Sequence, residues 1–142
     1  MTKCESKYCG CLYYSSNALA RVMTRLAEEE FASTGLTPSY AFVLMTVSSQ
    51  PGIQPKDLST HMQLTPSTVT RLVEKLEFRG LVERKNTGRS TEIHPTSKGQ
   101  ELIGIIERSW KNLYERYSNQ IGEEEAKELT QKMNDALDKL TQ

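Results

Sequence analysis

The 142-residue sequence contains no run of about 18 uncharged apolar residues, so no segment is expected to cross a membrane. Its opening, MTKCESKYCGC, lacks the apolar stretch of a secretion signal, which makes the cytoplasm the expected location. Cysteine is missing after residue 11: Cys4, Cys9 and Cys11 are the only three, which excludes a disulfide framework for the core and leaves thiols expected to be reduced at rest. No phosphate-cradling glycine loop, HExxH helix, GxSxG elbow or pair of catalytic carboxylates occurs. The sequence is therefore not read as an enzyme and no cofactor is expected. C-x4-C-x-C falls short of the four ligands a structural metal needs, and His61 and His94 lie far along the chain, so no metal site is expected either.

Net charge is also lacking, with 18 basic and 18 acidic residues. The charges are unevenly placed, however. Residues 50–100 carry eight basic and five acidic side chains, whereas residues 101–142 carry six and nine. A positive middle suits a phosphate-bearing partner, because attraction depends on the field at the contact surface and not on the sum.

Length allows one domain over 1–142. Apolar residues from Leu12 through Leu19, Val22, Met23, Leu26 and Phe31 form one helical stripe, closed by Gly35. Thr37-Pro38 opens a second helix that Pro51-Gly52 ends, residues 54–62 read as a third, and Thr65-Pro66 opens a fourth running to about Arg79. The period then changes. Residues 81–84 and 90–94 read as two short strands joined by an Asn86-Thr87-Gly88 turn. After Pro95, Thr96 caps a long helix with the stripe Leu102, Ile106, Trp110, Leu113 and Tyr117. Gly122 interrupts it, and a last helix carries Leu129, Met133 and Leu137.

The fold class expected is thus mainly α with a small β-hairpin: a winged helix-turn-helix lobe over about 36–95, flanked by helices at about 11–34 and 96–142. Those terminal helices have apolar faces that a small monomer cannot cover, and a second copy is the simplest cover. Leu12, Leu19, Leu102, Ile106, Trp110, Leu113, Tyr117, Leu129, Met133 and Leu137 are the expected dimer contacts.

The segment DLSTHMQLTPSTVTRLVEKLEFRGL, from Asp57 to Leu81, points to function. Leu58, Met62, Val69, Leu72, Val73 and Leu76 can face inward. Thr65 at the cap, then Ser67, Thr68, Thr70, Arg71 and Lys75, are left on the opposite side. Short hydroxyls followed by cations suit a helix lying in a major groove, where small groups approach base edges and cations reach guanine or phosphate. A polar helix face alone is ordinary solvated surface. The basic hairpin that follows it, with Arg84, Lys85 and Arg89, tips the reading towards DNA.

The run DLSTHMQLTPSTVTRLVEKLEFRGLVER, followed by RSTEIHPTSKG, resembles the MarR family of winged-helix regulators, over about residues 12–140. The resemblance implies a homodimer whose first, fifth and sixth helices interlock. It also implies double-stranded DNA with a pseudo-palindromic operator as partner, and repression relieved by a small molecule or an oxidant. Ser67, Thr68, Thr70 and Arg71 lie where that family reads the major groove, and Arg89 matches its wing arginine. Three positions depart from the pattern: Gln63 stands for a turn glycine, Thr87 for an aspartate that pairs with the wing arginine, and Ser59 for an alanine.

Oxidant-sensing relatives carry a reactive cysteine near the start of the first helix with tyrosines around it. Cys11 is the nearest match, with Cys9 and Cys4 beside it and Tyr8, Tyr13, Tyr14 and Tyr40 as candidate neighbours. The first turn of a helix favours a thiolate, the oxidisable form. Two other functions were open on sequence alone, a redox-active thiol enzyme and a winged-helix protein-interaction module that does not bind DNA.

Overall fold

The computed structural model describes residues 3–142. Seven α-helices and one hairpin follow in order: α1 (Leu12–Phe31), extended by a short 3-10 turn (Ala32–Thr34), α2 (Pro38–Ser49), α3 (Pro55–Met62), α4 (Pro66–Phe78), β1 (Val82–Thr87), β2 (Ser90–Pro95), α5 (Ser97–Glu101), α6 (Ile103–Ile121) and α7 (Glu123–Leu140). Helices α2, α3 and α4 each begin with proline in the first turn, where its missing N–H costs nothing. Thr37 and Thr65 occupy the cap positions with extended backbone, although neither side chain bonds a helix N–H. Thr96 does cap α5, accepting from Gly99 N at 3.0 Å.

The core is built where α2, α3, α4 and the root of the hairpin converge. Val43, Leu44, Val47, Leu58, Val69, Val73, Leu76, Leu81, Val82 and Ile93 are buried there, joined by Leu26 and Phe31 of α1 and by Ile106 and Leu113 of α6. Arg116 of α6 fastens α1 from outside, reaching Glu29 at 2.7 Å and Glu30 at 3.1 Å.

Several expectations need correcting. The helix after Pro95 is two helices, because Leu102 (φ −84°, ψ −15°) ends α5 and begins α6. The hairpin register pairs Thr87 with Ser90, so the turn is Gly88-Arg89 and not Asn86-Thr87-Gly88. Glycine at the first central position, with φ +66°, gives a two-residue turn whose twist matches the strands. Ile106 and Leu113 do not lie on an open face; both are packed inside the protomer. The thiols are not all free, since Cys4 and Cys9 form a disulfide with their Cα atoms 6.0 Å apart.

Gln63 takes the left-handed conformation (φ 55°, ψ 41°) between α3 and α4, the only non-glycine residue with positive φ among those described. A side chain there costs about 1 kcal/mol relative to glycine. Gln63 is exposed, so little packing is lost on its removal. Gln63→Gly should raise the urea midpoint without changing the slope of the transition; a lower midpoint would show that the amide makes a compensating contact.

Candidate nucleic-acid interface

The polar face of α4 is held outward by its own apolar underside. Val69, Val73 and Leu76 are buried, while Ser67, Thr70, Arg71 and Lys75 are exposed and Thr68 is half-buried. At the N-terminal end the Thr65 and Thr68 hydroxyls lie 2.9 Å apart, with Ser67 Oγ 3.4 Å from Thr65. Thr70 Oγ1 donates back to the Pro66 carbonyl at 2.9 Å, which turns its hydroxyl along the helix. Arg71 and Lys75 enter no ion pair among the described residues. They are cations left available to an external anion.

The wing stands beside this face. Arg89 sits in its two-residue turn, exposed and without an ion-pair partner among the described residues. Thr87 bonds Ser90 Oγ at 3.1 Å and Glu92 at 3.4 Å and makes no bond to Arg89 among the described residues. Lys85 lies on the outer face of β1, 3.5 Å from Glu83.

Arg84, expected among the DNA-binding cations of the hairpin, is exposed but already paired. Alternation along β1 puts Arg84 on the same side as buried Val82, facing the body of the protein. There its Nε and Nη2 donate to Glu77 Oε1 at 3.1 and 2.8 Å. Arg84 holds the Glu77 carboxyl below the usual carboxylate range, chiefly through these side-chain hydrogen bonds. Glu77 was missed in the sequence. The signal was an acid one helical turn from the strand, followed by alternation counted from Val82.

Other positions sharpen the picture. His61 is exposed and meets Gln50 Nε2 at 3.2 Å, while His94 is half-buried against Glu92 at 3.0 Å. Among the described residues Ser59 Oγ is buried without a hydrogen-bond partner, an orphan hydroxyl. Phe78, at the end of α4, is 93% exposed.

At the other end of the molecule, Cys11 is exposed and stands at the cap position of α1. Tyr8 and Tyr14 lie tilted against each other, with ring centroids 5.8 Å apart, and no tyrosine hydroxyl bonds Cys11 among the described residues. Tyr40 packs against the core. Helix α7 buries only Ala126. With α1 and α6 it leaves an open groove of about 380 Å³, lined by Leu19, Met23, Tyr117, Ile121, Leu129 and Met133 among others. Leu12, Trp110 and Leu137 are likewise exposed, whereas Leu102 is half-buried against the core. No helix is long and apolar enough to cross a membrane among the described residues.

A helix-turn-helix followed by a hairpin with a basic turn is shared by many proteins. The family model for MarR matches residues 36–87, the stretch that runs from just before α2 to the end of β1. Over that stretch the chain is similar to the MarR family.

Among relatives, the chain is 28% identical over 106 residues to the HTH-type transcriptional regulator BilQ of Clostridioides difficile, covering 70% of this chain and 69% of that one. It is 28% identical over 121 residues to the transcriptional repressor MprA of Escherichia coli, covering 76% and 66%. The chain thus spans about two thirds of the length of these relatives. The Staphylococcus aureus MepR–DNA complex matches the fold with a TM-score of 0.79 at 21% identity, over 91% of this chain and 97% of that one.

Proposed function

We propose that the protein is a sequence-specific DNA-binding transcriptional regulator that acts as a homodimer, represses by occupying a pseudo-palindromic operator, and works in the cytoplasm. The observation that carries the reading is the outward face of α4. It offers Ser67, Thr68, Arg71 and Lys75 with both cations unpaired among the described residues, beside a wing tipped by Arg89. The relatives' names, a transcriptional regulator and a transcriptional repressor, support the same reading. The exposed apolar stripe of α1, α6 and α7 supports pairing with a second copy, since a contiguous apolar surface of this kind is costly to leave in water.

Selection of bound duplexes from a random pool tests the proposal. An inverted repeat with half-site centres about one helical turn apart is expected. A selected site without dyad symmetry, or no enrichment, overturns it.

The dimer has its own test. Leu113 is buried within the protomer, so an acid there would unfold the chain before it reported on association. Met133, 49% exposed in the groove, is the better position. Met133→Glu should raise the dimer dissociation constant at least about tenfold, because a carboxylate would be desolvated in an apolar seam. Light scattering that still reports a dimer at low micromolar concentration would put the interface elsewhere.

An oxidant is the signal favoured over a small ligand, on the observation of an exposed Cys11 thiol two residues from the Cys4–Cys9 disulfide. Cys11→Ser should keep operator binding and lose release by peroxide. Release indistinguishable from that of the parent would remove Cys11 from the signal.

A further inference from the structure

The hairpin is firmly rooted but loosely held beyond its root. Leu81, Val82 and Ile93 are buried, and Ile93 exchanges backbone hydrogen bonds with Gly52 at 2.8 Å and with Ile53 at 3.0 Å. Past Val82, residues 83–89 are all exposed. Among the described residues, the only side-chain hydrogen bonds joining α4 to either strand are those between Glu77 and Arg84. The carboxylate accepts three: from Arg84 N at 3.3 Å, Nε at 3.1 Å and Nη2 at 2.8 Å. Two planar groups joined at several points fix a direction as well as a distance.

We propose that Glu77 and Arg84 are positioning residues that set the angle of the wing against α4, so that Arg89 at the tip and Arg71 on the helix meet the same duplex. The inference rests on the DNA-binding reading above. Leverage makes the angle matter. From Arg84 to Thr87 the strand advances about 10 Å at roughly 3.4 Å per residue. A swing of about 10° at Arg84 therefore moves the turn by about 2 Å, more than a hydrogen bond tolerates.

The competing role for Arg84, a direct phosphate contact, makes the opposite prediction. If Arg84 bound phosphate, removing the Glu77 charge would free a cation and delete a repelling acid, and binding would tighten. If the pair is a strut, the same change loosens the wing and weakens binding. Likewise Arg84→Lys keeps the charge a phosphate contact needs, but loses the two-point grip on the carboxylate.

The test uses the full chain and the operator selected above, with affinity read by fluorescence anisotropy for Glu77→Gln, Arg84→Lys, Arg89→Ala and the Glu77→Gln/Arg89→Ala pair. Glu77→Gln and Arg84→Lys should each weaken binding about tenfold, and Glu77→Gln should add nothing once Arg89 is gone. Hydrogen exchange of the free protein should quicken across residues 83–92 in Glu77→Gln, a change visible without DNA. Unchanged or tighter binding by Glu77→Gln, full affinity in Arg84→Lys, or losses that multiply with Arg89→Ala would overturn the strut while leaving DNA binding intact. A parent that selects no sequence would sink both.

Discussion

Arg71→Ala lowers affinity for the selected operator by about 1–3 kcal/mol, the range expected for losing one bidentate base contact, and leaves thermal unfolding where it was. The two halves of this expectation have separate grounds. Arg71 is exposed on α4 and enters no ion pair among the described residues, so the folded protein gives up little when it is removed. It also lies one turn beyond Ser67 and Thr68, towards the middle of the outward face, where a duplex lying along the helix would meet it. Competition with mismatched operators adds a second measure. A base contact relaxes preference at one position, whereas a phosphate contact weakens every sequence alike and flattens the salt dependence. Equal affinity of parent and variant would remove α4 as the reading element.

Gly99→Ala should cost about 3 kcal/mol of stability, the upper part of the range for overpacking a well-filled site. The methyl group would run into the carbonyl of Leu81 and would also meet Leu44 Cδ1 at 3.1 Å. The leucine side chain can give way, but the carbonyl is held, because it accepts from Thr96 N at 3.1 Å. Thr96 is fixed in turn, since its hydroxyl donates to the Gly80 carbonyl at 2.6 Å and accepts from Gly99 itself. Closing this junction joins the end of α4, the exit of the wing and the start of α5. The thermal midpoint should fall by roughly 10 °C for a chain of this size. A shift of under about 2 °C would show that the backbone yields cheaply.

The elements that the sequence displayed most clearly were those where one local rule operates alone. Proline after threonine marked the starts of α2 and α4, and the split between Val69, Val73 and Leu76 and the hydroxyl-cation face placed α4 in the correct orientation. Gln63 in a glycine position signalled its left-handed backbone. Errors arose where two rules competed. The cluster Asn86-Thr87-Gly88 looked like the turn, yet glycine's positive φ is wanted at the first of two central residues, which shifts the turn onward to Arg89. The pairing of Arg84 with Glu77 was missed because charge was read without the strand's alternation. On α6 one edge of the apolar stripe, Ile106 and Leu113, enters the protomer core while Trp110 remains 52% exposed, and periodicity cannot divide a stripe between a chain's own core and an open face. Gly99 carried no local signal, since it matters through a neighbour brought in by folding.

Arg116 and the α1 acids it holds have a consequence for synthesis. The bond from Arg116 to Glu30 joins residues 86 apart in the chain. During synthesis α1 can meet α2 early, through Phe31 edge-on to Phe42, but the larger part of its packing waits for α6, while α2, α3, α4 and the hairpin already have one another. The side of α1 that faces α6 is thus among the last surfaces to be covered, and it stays open to chaperones throughout that interval.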